Sequence, residues 1–187
     1  MSKIQKALTE HRAVINELSE LENEIKRIVE ICVKSLSRGK TIFWAGNGGS
    51  ASDAQHLAAE LVGRFEKDRP AIASIALTTD TSILTAVGND YGFESVFSRQ
   101  IEALGRQGDV LVAISTSGNS PNIVKAAQAA KERGVVTIGL LGKTGGVLQD
   151  SVDHALVVPS NNTARIQEAH ILIGHILCQL VEESLFS

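Results

Sequence analysis

Apolar residues recur at three- and four-residue intervals through residues 3–37: Ile4, Leu8, Val14, Ile15, Leu18, Leu21, Ile25, Ile28, Val29, Val33 and Leu36. That period predicts amphipathic helix. No Pro or Gly interrupts it before Gly39, which with Ser37 marks the stop. The segment reads as one long helix or two, packed either on a second subunit or on the chain's own core. From residue 41 the pattern changes. Short apolar runs at Thr41–Ala45, Ala71–Leu77, Asp109–Ile114, Val135–Leu141 and Ala155–Val158 predict five strands. Between and after them, helical stretches are predicted at Ser50–Arg64, Thr79–Val87, Phe93–Leu104, Pro121–Arg133 and Ala164–Glu183, with Gly88–Gly92 as a turn. Strands apolar on both faces and spaced by helices predict a parallel sheet covered on both sides. The expected fold is thus α/β, a doubly wound three-layer sandwich with a five-stranded parallel sheet. Pro70, Pro121 and Pro159 each fall at an element boundary, as this assignment requires.

The 187 residues suit a single domain, 1–187, in which 1–38 form an N-terminal helical extension. A chain of that length buries roughly 70% of its unfolded surface and needs no staples. Its two cysteines, Cys32 and Cys178, exclude a disulfide scaffold and favour a reducing cytosol. The net charge is −3 and no basic tract runs along any segment, which argues against nucleic-acid binding. No apolar run approaches the ~20 residues of a membrane span. The first residues, Met1 to Arg12, lack a signal-peptide apolar region. A cytoplasmic protein is expected.

Ligands of such folds bind beyond the carboxyl ends of the strands. The first predicted strand is followed by Gly46-Asn47-Gly48-Gly49-Ser50-Ala51-Ser52. Glycines let backbone approach a ligand, and Ser50 or Ser52 is placed to cap the next helix. Gly46-x-Gly48-x-x-Ala51 partly matches a dinucleotide fingerprint. The acidic residue expected about 20 positions on is missing, Asp80 coming too late. A small polar ligand suits the loop better; a plain tight turn is the remaining reading. The third strand is followed by Ser115-Thr116-Ser117-Gly118-Asn119-Ser120-Pro121, four hydroxyls directly before a helix. Ser120 fits the N-cap and Pro121 the first helical position. Capping needs one hydroxyl, not four. Hydroxyls, backbone N–H groups and the positive helix end together suit a phosphate monoester. With no Gly-Lys-Ser/Thr following, the loop is no nucleotide P-loop.

Two helices carry candidate acid–base and metal-ligating groups. His56 and Glu60 are four residues apart and share a face. Gln167 and His175 are eight apart, about 80° around the last helix and ~12 Å along it. To share one site they require long side chains, an irregular helix or a second subunit.

Taken together, Gly46-Asn-Gly-Gly-Ser50, Ala54-Gln-His56 through Glu60 to Arg64, Val87-Gly-Asn-Asp-Tyr-Gly92, Ala113-Ile-Ser-Thr-Ser-Gly-Asn-Ser120 and Ala164-Arg-Ile-Gln167-Glu-Ala-His170 resemble a sugar isomerase (SIS) domain. Within that group the chain resembles the phosphoheptose isomerases over essentially its whole length. The resemblance implies a flavodoxin-like sandwich and conversion of sedoheptulose 7-phosphate into D-glycero-D-manno-heptose 7-phosphate, the first step of heptose synthesis for bacterial lipopolysaccharide. It implies that Ser115, Thr116, Ser117 and Ser120 hold the phosphate, and that Asn47, Gly48, Gly49, Glu60, Asn89, Asp90 and Gln167 contact the substrate. Glu60 and His175 fall at the family's proton-transfer positions. His56, Glu60, Gln167 and His175 match its zinc ligands, one ion per subunit. A homotetramer with sites at subunit contacts is implied as well. Some members carry an acidic residue where this chain has Ala164, so a third carboxylate at the site is not implied. The same domain also includes paralogues that bind the replication initiator DnaA without isomerisation. A binding module has no chemical need for Glu60 and His175, and their presence here favours the enzyme.

Overall fold

Side chains of consecutive strand residues point to opposite faces, so a strand buried on both faces feeds two cores at once. In this computed structural model, which describes residues 1–186, the five predicted strands behave in that way. They are β1 (Ile42–Ala45), β2 (Ser74–Ala76), β3 (Val110–Ser115), β4 (Val136–Gly142) and β5 (His154–Val158). All neighbouring strands pair in parallel, in the order β2-β1-β3-β4-β5. Ile42 and Trp44, Val110, Val112 and Ile114, Ile138 and Leu140, and Leu156 and Val158 enter one apolar core. Their alternates Phe43, Ala45, Leu111, Ala113 and Leu141 enter the other.

The first core is covered by α1 (Lys3–Glu17), α2 (Glu22–Leu36), α3 (Gly49–Val62) and α8 (Thr163–Leu185). The second lies under α5 (Ser98–Leu104), α6 (Pro121–Glu132) and α7 (Gly146–Ser151). The N-terminal segment is two helices joined by a 3₁₀ turn at Leu18–Leu21. The Ser19 hydroxyl donates to the Asn16 carbonyl oxygen there, 2.8 Å away, and such local bonding competes with the regular helix. Ile25, Ile28, Val29 and Cys32 are buried in the sheet's own core, whereas Ile4 and Leu8 are 75% and 52% exposed.

Besides β2, which at Ser74–Ala76 is shorter than expected, three elements differ from the expected ones. The turn expected at Gly88–Gly92 is helical: α4 runs Thr81–Tyr91, with the Asp80 carboxylate accepting from the Ile83 N–H at its start. The chain turns only at Gly92, where φ is +86°. The helix expected over Phe93–Leu104 is a 3₁₀ turn at Phe93–Ser95 followed by α5. Finally, α7 was not anticipated, because six residues are too few for a periodic signal.

Because Ile28 is 2% exposed within the shared core, Ile28→Ala is expected to cost about 2–5 kcal/mol in urea unfolding. A loss below 1 kcal/mol would make α2 an appendage rather than a core element.

Candidate active site

The chain leaves β1 toward β2 on one side and returns to β3 on the other, so the carboxyl ends of β1 and β3 form the switch point of the sheet. Both loops singled out in the sequence emerge there. After β1, Gly48 adopts φ +57° and occupies the N-cap position of α3 with no side-chain cap. Neither Ser50 nor Ser52 caps that helix: Ser50 is buried within its first turn. A Cβ on Gly49 would meet the Gln167 carboxamide nitrogen closer than ordinary van der Waals contact. Gln167 thereby stands against the Gly-rich loop. The Asn47 and Asn122 carboxamides each donate to the other at 2.8 Å, tying this loop to the first turn of α6.

After β3, the hydroxyl oxygens of Ser115 and Ser120 lie 3.1 Å apart. The Gly118 N–H donates to the Ser115 hydroxyl and the Asn119 N–H to that of Ser117. Ser120 is the N-cap residue and Pro121 the first helical one, but the Ser120 hydroxyl makes no capping bond. Thr116 and Ser117 are half-buried in the same loop. The unanticipated α7 braces it from behind. The Val147 N–H donates to the Asn119 side-chain oxygen, and the Leu148 N–H to the Gly118 carbonyl. Asn89 and Asp90 sit on the exposed last turn of α4 and bond each other. A cavity of about 500 Å³ lies beside both loops, lined by Asn47, Tyr91, Phe93, Ser120 and Asn122. A larger one, about 600 Å³, opens at the other end of the sheet among Lys34, Arg38, Lys40 and His154, away from these loops.

The acid–base groups meet between α3 and α8. His56 Nε2 is 3.1 Å from Glu60 Oε1 and 2.9 Å from His175 Nε2, one ring nitrogen donating to the other. The imidazole rings meet edge-on, with centroids 5.1 Å apart, and the Phe65 ring lies 5.8 Å from His175. One ligand atom from each of the three residues falls within 4.8 Å of the others, an arrangement that can hold a metal. Gln167 lies two turns before His175 on α8. Since α8 is unbroken from Thr163 to Leu185, its backbone lies about 12 Å from that of His175, and helix irregularity does not close the gap.

A tetrahedral zinc at about 2.0–2.1 Å from two nitrogens needs them about 3.3 Å apart. The observed imidazole pair has to open by only a few tenths of an ångström. Two imidazoles and a carboxylate are ligand types that zinc takes, so the residues fit that ion.

Several contributors have no obvious mark in the sequence. Asp53, one turn before His56, is half-buried with Oδ2 unpartnered; burial pushes its carboxyl up, and the charge of His56 works against that. His170 serves the fold: fully buried, it donates from Nε2 to the Leu141 carbonyl, and burial pushes it down to about 4. Glu182 and Arg69 form an ion pair with both side chains 2% exposed. Glu182 accepts from the backbone N–H groups of Phe65, Glu66 and Lys67, while Arg69 donates to the carbonyls of Glu60, Leu61 and Gly63. Burial disfavours the Glu182 charge, but these donors outweigh it and hold the carboxyl at about 2.

A carboxyl lowered on folding stabilises the native state fully above its unfolded value of 4.5 and loses that contribution as the pH falls toward 2. The shift corresponds to about 3 kcal/mol. Acid unfolding should therefore steepen over that window, and Glu182→Gln should flatten the dependence; an identical pH profile in the variant would remove this ion pair from the account.

Comparison with known proteins agrees with this geometry. The SIS domain family matches residues 8–142. The chain is 56% identical to the phosphoheptose isomerase of Nitratiruptor sp. over 98% of its own length and 99% of that protein's. It is 55% identical to phosphoheptose isomerase 1 of Campylobacter jejuni, over 97% of each chain. A solved phosphoheptose isomerase from Neisseria gonorrhoeae, 45% identical, superposes with a TM-score of 0.92 over 97% of each chain. With a shared fold, near-complete mutual coverage and over half its residues in common with such enzymes, the chain belongs to the phosphoheptose isomerase family of SIS-domain proteins.

Proposed function

We propose that this chain converts sedoheptulose 7-phosphate into D-glycero-D-manno-heptose 7-phosphate in the cytoplasm, opening the synthesis of heptose for lipopolysaccharide. The observation that carries the reading is the meeting of Glu60 and His175 within one cluster, in a chain whose two strand-end loops are suited to a phosphosugar. Such a cluster is a chemical device that a DnaA-binding module does not need.

Moving a carbonyl from C2 to C1 requires one base for carbon-bound protons and one acid–base group for the oxygens. Glu60 engages His56 through Oε1, which leaves its second oxygen for the carbon side. As a carboxylate it takes a proton from C1, giving a cis-enediolate, and returns that proton to C2. His175 as imidazolium gives a proton to O2 and takes one back from O1, so protons balance and the bonding electrons shift by one carbon. Ser115, Thr116, Ser117 and Ser120 hold the phosphate with neutral donors at the α6 N-terminus. Asn47, Gly48, Gly49, Asn89, Asp90 and Gln167 orient the chain between. Anchoring the distant anion supplies binding energy that fixes the reacting carbons.

His56, Glu60 and His175 are the residues that would hold zinc, one ion per subunit, with Gln167 as fourth ligand. When bound, zinc supplies Lewis acidity to the oxygens on C1 and C2. His175 would serve either as a zinc ligand or as the proton carrier at a given nitrogen, so metal content and turnover need separate measurement. A homotetramer accounts for features a lone protomer leaves open. Every residue of α4 is partly or fully exposed, as are Ile4 and Leu8 of α1. Asn89, Asp90 and Gln167 would then complete sites across subunit contacts.

Glu60→Gln and His175→Ala are each expected to lower kcat by about 10²-fold or more on sedoheptulose 7-phosphate, followed by NMR. Either variant turning over at the wild-type rate would remove that residue from the mechanism. Combining Ser117→Ala with Ser120→Ala should raise KM about tenfold or more while kcat changes little; an unaltered KM contradicts the phosphate assignment. Exhaustive chelation should remove one metal per chain together with activity, and full activity in a metal-free sample would refute the zinc reading.

A further inference from the structure

The two helices that carry the acid–base cluster are joined at a second place, beyond the reacting groups. Glu182 lies seven residues after His175, two turns along nearly the same stripe of α8. Its carboxylate collects the N–H groups of Phe65, Glu66 and Lys67 at 2.8–3.1 Å, which fixes the segment after α3. That segment places the Phe65 ring against His175. Arg69 in the same segment turns back to α3, and its Nη2 donates at 2.9 Å to the backbone carbonyl of Glu60 itself. The pair thus holds the backbone of Glu60 and, through Phe65, a neighbour of His175, without touching the side-chain atoms of the cluster. At the cluster, Gly174 brings α8 so close to α3 that a Cβ would strike the Leu57 side chain.

Stability alone is a weak reason for such a pair. A buried ion pair pays heavily in desolvation, and apolar residues of similar volume often serve the fold equally well. What an apolar contact cannot do is point three N–H groups and the carbonyls of Glu60, Leu61 and Gly63 in fixed directions. We propose that Arg69, Glu182 and Phe65 are positioning residues that set the spacing of Glu60 and His175. This rests on the acid–base and metal reading of that cluster. Residues that orient a metal's ligands typically change affinity or activity 10–100-fold when replaced.

The test uses Glu182→Gln and, in case that variant fails to fold, Phe65→Ala, which leaves the ion pair intact. Three quantities are measured on variants with wild-type circular dichroism: the ring ¹⁵N shifts of His56 and His175 in the metal-free protein, Zn²⁺ affinity against a chromophoric chelator, and kcat and KM. Positioning predicts altered ring shifts reporting loss of the His56–His175 contact, at least tenfold weaker Zn²⁺ binding and lower kcat at unchanged KM for Glu182→Gln. Phe65→Ala should move the same three quantities in the same direction by a smaller factor. A folded variant with wild-type ring shifts, and with Zn²⁺ affinity and kcat within twofold of wild type, overturns the proposal. If the wild-type protein itself neither binds Zn²⁺ nor isomerises the sugar, the reading of the cluster fails instead, and the metal-free ring shifts still decide whether these residues set its geometry.

Discussion

The approach of α3 to α8 is the constraint on which the rest of the site depends. Each helix alone presents a short row of polar groups on an otherwise apolar face: His56 and Glu60 on one, His175 on the other. They become chemistry only when the helix faces meet to within a hydrogen bond. The bare Cα of Gly174 permits that meeting, and the buried Arg69–Glu182 pair closes it at the far end. The Cys178 thiol, between His175 and Glu182 on α8, faces the Leu57 carbonyl. The seam is therefore tight along its length, with its polar groups gathered at the cluster and at the ion pair.

The sheet supplies the second half of the site. Its order puts β1 and β3 side by side with their connections diverging, and that divergence opens the crevice in which both ligand loops lie. The Asn47–Asn122 pair keeps the two loops in register, and α7 holds the hydroxyl loop from behind. In the proposed reading a phosphate at the β3 loop would be held by that backbone, and the reacting end of the sugar would be left to groups on a separate helix pair. Dividing anchoring from chemistry in this way lets remote binding energy be used for orientation.

Much of this was legible in the chain. The alternation of short apolar runs with helices predicts the parallel sheet, and the strand-end loops follow from it. The four-residue spacing of His56 and Glu60 places them together. Other features depend on contacts that sequence spacing does not encode. The capping expected of Ser50, Ser52 and Ser120 is absent, because Gly48 takes the first position and the Ser120 hydroxyl turns to Ser115. α4 continues through Gly88, Asn89 and Asp90 against their low helix propensity, so the turn comes at Gly92. Glu182 looks like a solvent-facing carboxylate near the end of a helix. Its burial becomes apparent only once the segment after α3 folds back over α8.

The central claim is that one protomer brings His56, Glu60 and His175 to a common point. Diffraction from zinc-loaded crystals at wavelengths on either side of the zinc absorption edge tests it directly. The account predicts one anomalous peak per chain, within bonding distance of His56, Glu60 and His175 of the same protomer. A peak elsewhere, or one whose histidines come from different protomers, would contradict it.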